Sequence, residues 1–404
     1  MISRPLYIEA IKAFIDKPQV KIITGIRRSG KSTLLRLLRS EFLSRGVREE
    51  NLISINFESF ANYHLLKAEA LYSHIREIVK PSSRYYLFLD EIQEVEQWEK
   101  VINSFLADMD VDIYLTGSNS HLLSSELATY LAGRYVEIPV YTLSYREYLD
   151  FRNFYFPEEE KTDQRFPHYL RNGGFPVIHT GGYSEESAYK VIYDIYSSVI
   201  LRDTVQRFKI RDVELLERVI KYAFDNIGNT FSGKSIADYF KSQQRKVDIN
   251  TVYNYLNALE GAYILYRVPR YDIRGKEILK TQEKYYVNDI GIIYATMGYR
   301  DRMIGGILEN IVFLELKRRG YRVFVGKLET TEIDFVAERQ GKKMYIQVAY
   351  KLDSDQTIKR EFGNLLSIDD QYPKYVVTMD DFWRDSIEGV NHFYISDFLL
   401  TELF

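Results

Sequence analysis

The sequence predicts an α/β protein in three blocks: a parallel-sheet domain at 1–155, a winged-helix segment at 213–298 and a second α/β domain at 299–404. Three observations carry this reading. Short apolar runs alternate with helical patterns over the first 155 residues, the signature of a parallel sheet covered by helices. Three helical patterns and then a two-stranded hairpin fill 213–290. The last hundred residues return to strands flanked by helices.

In chain order, the first five strands are Val20–Thr24, Leu52–Phe57, Tyr85–Leu89, Val111–Thr116 and Tyr135–Val140. Between the first two, Leu34, Leu35, Leu37, Leu38 and Phe42 recur at helical spacing, and Gly46 is placed to end the helix. Val95, Trp98, Val101, Ile102 and Phe105 mark another helix. The polar stretch Phe156-Pro157-Glu158-Glu159-Glu160-Lys161 reads as a linker opening a helical connector at 156–212. That connector holds a turn at Asn172–Pro176 and a long helix over about 185–207. The final block reads helix 306–319, strands 321–326, 332–338 and 343–350, helix 355–367 and strand 374–379.

Composition narrows the function classes. The 54 Lys and Arg against 57 Asp and Glu leave a net charge of −3, so any basic surface is local. Cysteine is absent, which excludes disulfides, thiol nucleophiles and cysteine-bound metal centres. The six histidines show no paired metal-ligand spacing. No apolar run approaches the ~20 residues that span a bilayer, and Met1–Pro5 lacks a signal-peptide core. A cytoplasmic protein without a membrane segment is expected.

The chemistry starts at Gly25-Ile26-Arg27-Arg28-Ser29-Gly30-Lys31-Ser32, with Thr33 next, between an apolar strand and an amphipathic helix. Glycines let such a loop fold tightly, so that backbone N–H groups and the helix N-terminus face phosphates. Lys31 supplies a point charge for the β- and γ-phosphates, and Ser32 a hydroxyl for Mg²⁺. Residues 25–33 are thus the expected nucleotide cradle. Tyr85–Asp90 then ends a buried strand in two adjacent acids. Asp90 is expected to hold Mg²⁺ through its water shell, and Glu91 to orient the attacking water. At the end of the following strand, Ser118 and Asn119 are candidates for sensing the γ-phosphate, or simply a polar turn. Arg134 before the last strand is either a finger on a neighbouring copy's nucleotide, which implies a homo-oligomer, or a structural ion pair.

In the middle block Val252, Leu256, Leu259 and Tyr263 share one helical face, with Asp248 or Asn250 as N-cap. Asn250, Tyr253, Asn254 and Asn257 face outward. From Lys241 to Lys284 nine basic residues outnumber five acidic ones, in the turn (Lys241, Arg245, Lys246) and in the wing (Arg267, Arg270, Arg274, Lys276, Lys280, Lys284). This pattern suits phosphate contacts on duplex DNA more than base reading. The other reading is a winged helix that contacts a protein partner or packs.

In the last block Glu309 on a helix, Glu332-Ile333-Asp334 on a strand and Gln347-Val348-Ala349 on the next follow the layout of a Mg²⁺ nuclease centre. That chemistry needs clustered carboxylates and a lysine. Here Gln347 stands at the acid position and Ala349 at the lysine position, so Glu309, Asp334 and Gln347 are read as a degenerate metal site. Migration of the lysine to Lys351, on the same strand face, is the alternative.

With these residues in hand, the whole chain resembles a group of bacterial and archaeal AAA-superfamily ATP-binding proteins. The resemblance rests on Gly25–Thr33, Leu87–Glu91, Leu115–Ser118, Leu131–Arg134, Leu143–Tyr148, Gly173–Pro176, Leu201–Asp203, Leu308–Asn310 and Glu332–Phe335. It implies an AAA-like P-loop NTPase domain, then a winged helix and a restriction-endonuclease-like domain. ATP as the nucleotide is implied by the resemblance alone. The expected function is Mg²⁺-dependent ATP hydrolysis coupled to a conformational change of the C-terminal region on DNA. The alternatives are a slow nucleotide switch acting on a protein partner, and an ATP-regulated Mg²⁺ nuclease.

Overall fold

The computed structural model describes residues 2–81, 83–118, 130–131, 133–158, 164–381 and 386–403, with 280 and 281 described by backbone alone. The chain forms two compact units: Met1–Thr142 with Gly261–Tyr263, and Leu143–Glu260 with Ile264–Phe404.

In the first unit five parallel strands, β1 (Val20–Thr24), β2 (Leu52–Asn56), β3 (Tyr85–Asp90), β4 (Val111–Gly117) and β5 (Tyr135–Pro139), lie in the order β2-β3-β4-β1-β5. The three central strands are buried throughout and the two edge strands are not. Unbroken apolar runs are what a sheet covered on both faces requires. Strand alternation sorts the side chains. Ile22, Ile55, Leu87, Leu89, Ile113 and Leu115 meet α3 (Ala68–Ile78) and α4 (Trp98–Asp108) on one face. Ile23, Tyr86, Phe88 and Tyr114 meet α1 (Pro5–Lys12) and α2 (Lys31–Ser44) on the other. Helix α2 ends where expected, with Gly46 at a φ of 86° just past it. Within the apolar face, Lys21 and Asp112 form a fully buried ion pair, and Tyr114 donates to the same carboxylate at 2.9 Å.

The division between the units falls at 142–143 rather than at 155. Helix α5 (Tyr145–Tyr155) opens with a capping box between Ser144 and Glu147, and Leu143 N–H donates to Gly174 O at 2.7 Å. Tyr145 and Tyr148 pack against Phe166 and Tyr169 of α6 (Arg165–Asn172), with ring centroids 5.2–5.4 Å apart. The expected linker therefore lies inside the second unit. The expected long helix is α7 (Glu185–Ser198), which runs on as a π-helix over Val199–Gln206.

Helices α8 (Val213–Asp225), α9 (Gly233–Ser242) and α10 (Ile249–Gly261) precede a hairpin of β7 (Leu265–Asp272) and β8 (Glu277–Val287). Asp248 Oδ1 accepts from the N–H groups of Asn250 and Thr251, so Asp248 is the cap of α10. A short β6 (Thr230–Phe231) pairs with β8. The hairpin does not end the sheet. Arg270–Asp272 of β7 pair in parallel with Val325–Lys327 of β9 (Arg322–Leu328). Beyond β9 lie β10 (Thr331–Arg339), β11 (Lys342–Ala349), β12 (Lys374–Thr378), β14 (Val390–Tyr394) and β13 (Ser386–Ile387), one nine-stranded sheet in all. The boundary expected at 298–299 is thus bridged by backbone hydrogen bonds. Helices α11 (Ile290–Met297), α12 (Ile304–Arg318), α13 (Asp355–Leu366) and α14 (Ile395–Leu400) complete this mixed α/β unit.

Candidate functional site

The loop 25–30 leaves the C-terminal end of β1 and enters α2 at Gly30, whose φ is 100°. A Cβ on Gly25 would lie 2.1 Å from Val140 O, and its φ is 138°, so only glycine fits. Lys31, 3% exposed, donates to the carbonyls of Gly25 at 3.0 Å and Ile26 at 3.2 Å, and lies 3.9 Å from Glu91. Arg27 reaches Glu58 at 2.8 Å, and Arg28 holds a φ of 69°. Ser29 Oγ is buried with no hydrogen-bond partner among the described residues. Arg4 was not anticipated. It is buried, donates to Ser29 O at 2.8 Å and Tyr141 O at 3.0 Å, and lies over the Tyr7 ring. It braces the loop from behind.

The acidic half sits where β3, β4 and β2 end together. Ser32 Oγ donates to Asp90 Oδ1 at 3.0 Å, and Asn56 Nδ2 to Asp90 Oδ2 at 3.0 Å. Thr116 donates to Asp90 Oδ1 at 2.5 Å while accepting from Glu91 N–H at 2.9 Å. Burial raises the Asp90 carboxyl above its ordinary range, and the Thr116 and Ser32 hydroxyls pull it back. Glu91 is buried at a φ of 56°, and Gln93 Nε2 donates to its Oε2 at 2.5 Å. Strand β4 lies between β1 and β3, and its Thr116 ties the Asp90 carboxylate to the Glu91 backbone within the acidic half. Ser118 is buried one residue past β4, its Oγ without a partner among the described residues. Asn119 lies outside the described residues.

Arg134 is not brought to this site within the chain. Its carbonyl accepts from Val20 N–H, at the end of β1 opposite the loop, and its guanidinium donates to Asn103 Oδ1 at 2.6 Å. Residues 25–33 with Asp90 fit a nucleotide and Mg²⁺. Ser29 and Ser118 present buried hydroxyls with no partner among the described residues, Lys31 rests on neutral carbonyls, and Ser32 touches Asp90.

Residues 17–149 match the AAA domain family, and residues 163–302 match a domain of unknown function. The chain is 38% identical over 402 residues to an uncharacterized protein of Haemophilus influenzae, covering 99% of each. It is 30% identical over 346 residues to uncharacterized protein MJ1544 of Methanocaldococcus jannaschii, covering 83% of this chain and 75% of that one. The chain belongs to the AAA-superfamily ATP-binding proteins. The Walker-type ATPase paby2304 of Pyrococcus abyssi aligns with this AAA protein at a TM-score of 0.49 and 16% identity, covering 73% of this chain and 96% of that one.

The C-terminal cluster of the AAA protein departs from its expected form. Glu309, Asp334 and Gln347 do come together, but around Lys284. That ammonium, 1% exposed, lies 2.9 Å from Glu309, 2.9 Å from Glu332 and 3.2 Å from Asp334. Burial alone would lower the Lys284 pKa, yet the surrounding Tyr286, Glu309, Asp334 and Glu332 hold it well above the ordinary value. Glu309 is pushed up to about 8 by burial and by Asp334. Gln347 Oε1 accepts from Asp334 N–H at 3.1 Å, so its amide oxygen is already engaged. Among the described residues no cluster of three or more His, Asp or Glu is arranged to hold a metal ion. Lys351 is exposed beside Tyr350, beyond the end of β11, and does not reach the cluster.

Lys284 therefore leaves the basic patch, and other members are neutralised. Arg245 pairs with Asp212 at 2.9 Å and Glu214 at 3.2 Å, Arg267 with Glu260 at 3.5 Å, and Arg274 with Glu329. Arg270 donates to Gln282 at 2.8 Å. Lys241, Lys246 and Lys276 stay exposed. Counting along the chain misses the partners that lie outside the stretch: Asp212 and Glu214 at the start of α8, and Glu329 in the β9–β10 turn.

Proposed function

We propose that this AAA protein binds ATP with Mg²⁺, hydrolyses it, and uses turnover to change the conformation of its C-terminal unit on DNA. The observation that carries the catalytic part is the joint anchoring of Asp90 by Ser32, Thr116 and Asn56, beside a buried Glu91. The backbone of residues 25–33 and Lys31 would hold the phosphates, and Ser32 and Asp90 the metal. Mg²⁺, when bound, would neutralise charge on the phosphate oxygens. Glu91 would take a proton from the attacking water. Thr116 fixes the backbone from which both acids project, so it positions them.

Steady-state ATP hydrolysis at low salt, with and without duplex and single-stranded DNA, tests this reading against Lys31→Ala as background. Stimulation by DNA supports coupling. Hydrolysis no faster than in Lys31→Ala under every condition overturns the ATPase assignment. A second reading, a slow switch on a protein partner, is favoured by the ion pairs that neutralise Arg245 in the turn and Arg267 and Arg274 in the wing. Slow intrinsic hydrolysis that DNA leaves unchanged would favour it. A Mg²⁺ nuclease is disfavoured by the ammonium at the centre of its carboxylates.

A further inference from the structure

The surface that lost its charge on the wing has a counterpart on another face of the second unit. On α8, Arg218, Lys221, Tyr222 and Asp225 fall at helical spacing on one stripe, opposite the buried Leu216, Val219, Ile220, Ala223 and Phe224. This stripe lines a cavity of about 440 Å³ shared with Tyr239 of α9 and Gln243 just past it, with Thr296 and Met297 at the end of α11, and with Arg300 beyond. A second cavity of about 360 Å³ adjoins it through Asp225 and Asn226, gains Arg302, and ends at Glu309. Both lie within the ~300–1,000 Å³ range of small-ligand sites.

The charges along this track are underpaired. Arg300 and Arg302 share the one carboxylate of Asp225, at 3.0 and 2.5 Å, which leaves one positive charge over. Lys221 is exposed, with no ion pair among the described residues. Arg218 pairs with Glu214 across an exposed helix turn at 2.8 Å, a contact that a phosphate can replace at little cost. Beside these cations Tyr222 and Tyr239 pack with ring centroids 5.0 Å apart, and Tyr239 is 43% exposed. Phe231 supports Tyr222 from behind at 5.7 Å.

We propose that the groove between α8, α9 and α11 binds single-stranded nucleic acid, its phosphates along Arg218, Lys221, Arg300 and Arg302 and a base against Tyr239. Repeated cations spread over two joined cavities match a polyanion rather than one anion. An exposed ring backed by two others is a platform for an unpaired base, which a duplex does not offer. An acidic peptide would use the cations and leave the aromatic pair idle. The inference rests on the DNA-association part of the reading above and adds the strand state and the site.

The test is fluorescence anisotropy of the full chain with a labelled thymidine oligonucleotide of roughly 20 residues and with a duplex of that length. The single strand is expected to bind in preference. Tyr239→Ala should weaken it about tenfold and Tyr239→Phe should restore it, as stacking requires. Lys221→Gln should reduce the slope of log affinity against log salt by about 0.7, one single-strand phosphate contact. Lys276→Gln on the wing should change neither, and thermal unfolding of each variant checks the fold. Groove variants that bind like the wild type, while Lys276→Gln loses affinity, would overturn the groove and keep DNA association. A wild-type chain that binds neither probe at low salt would overturn both.

Discussion

Lys31 and Lys284 are both buried lysines with carboxylates close by, and they differ in what holds the ammonium. Lys31 donates to the neutral carbonyls of Gly25 and Ile26, with Glu91 at 3.9 Å. Lys284 is held by three carboxylates within 3.2 Å. Carbonyl acceptors are exchanged readily for a phosphate, because the lysine trades dipoles for full charge. An ammonium enclosed by three acid side chains, two of them largely buried, must be evicted before a divalent cation can take its place. The difference separates a site poised to bind from one already filled by its own side chain.

The contrast breaks most visibly at the first site. Lys31→Ala is expected to abolish nucleotide binding, measured by equilibrium binding of a fluorescent ATP analogue. Glu91→Gln should keep that binding and lower turnover by about 10²–10⁴-fold; normal turnover in this variant would remove Glu91 from its role. At the second site, Lys284→Met should destabilise the fold by about 3–5 kcal/mol, because the carboxylates lose their counter-charge. The same variant should gain Mn²⁺ binding without nucleotide, read by electron paramagnetic resonance. Manganese bound at the cluster with Lys284 intact would undo the contrast.

Two smaller effects sharpen it. Thr116→Val removes the hydroxyl that bridges Asp90 and Glu91 N–H, and a loss of about 1.4 kcal/mol, or tenfold in turnover, is expected with nucleotide affinity retained. An equal loss of affinity would make Thr116 a binding group instead. The last effect is a pH dependence. Glu309 titrates at about 8 in the fold against 4.5 ordinarily, so between those values the native state keeps a proton that the unfolded chain has released. Stability from this group is therefore greatest at the acid end and falls as pH rises through about 8. Glu309→Gln should flatten that slope in thermal unfolding.

Much of the first unit was legible because its strands are apolar on both faces, as at Ile22-Ile23 and Leu87-Phe88-Leu89, and because the glycine loop has a fixed grammar. Thr116 was missed because a threonine inside a strand reads as an ordinary β-former. Only the adjacency of β3 and β4 turns it toward Asp90. Arg4 was invisible since its acceptors, Ser29 and Tyr141, are 25 and 137 residues away. Lys284 was counted with the wing by its neighbours in sequence. A signal was present: it alternates with Tyr286 at the start of a buried run, so both face the same side of β8. The stretch read as a linker at 156–161 is described only as far as Glu158, and those residues fall in the second unit; a proline-marked turn can sit inside a unit as well as between two.

The parallel pairing of β7 with β9 carries a mechanical consequence. A wing that ended its own small sheet would flex as a flap on a hinge. Here the hairpin is stitched on both sides, to β6 and to β9, so it cannot pivot without dragging the carboxylate cluster along. Excising 213–298 would bare one strand edge on the fragment and another on the remainder, each an invitation to aggregate. Limited proteolysis should therefore release no folded wing. Whatever pulls on the hairpin pulls on the whole sheet.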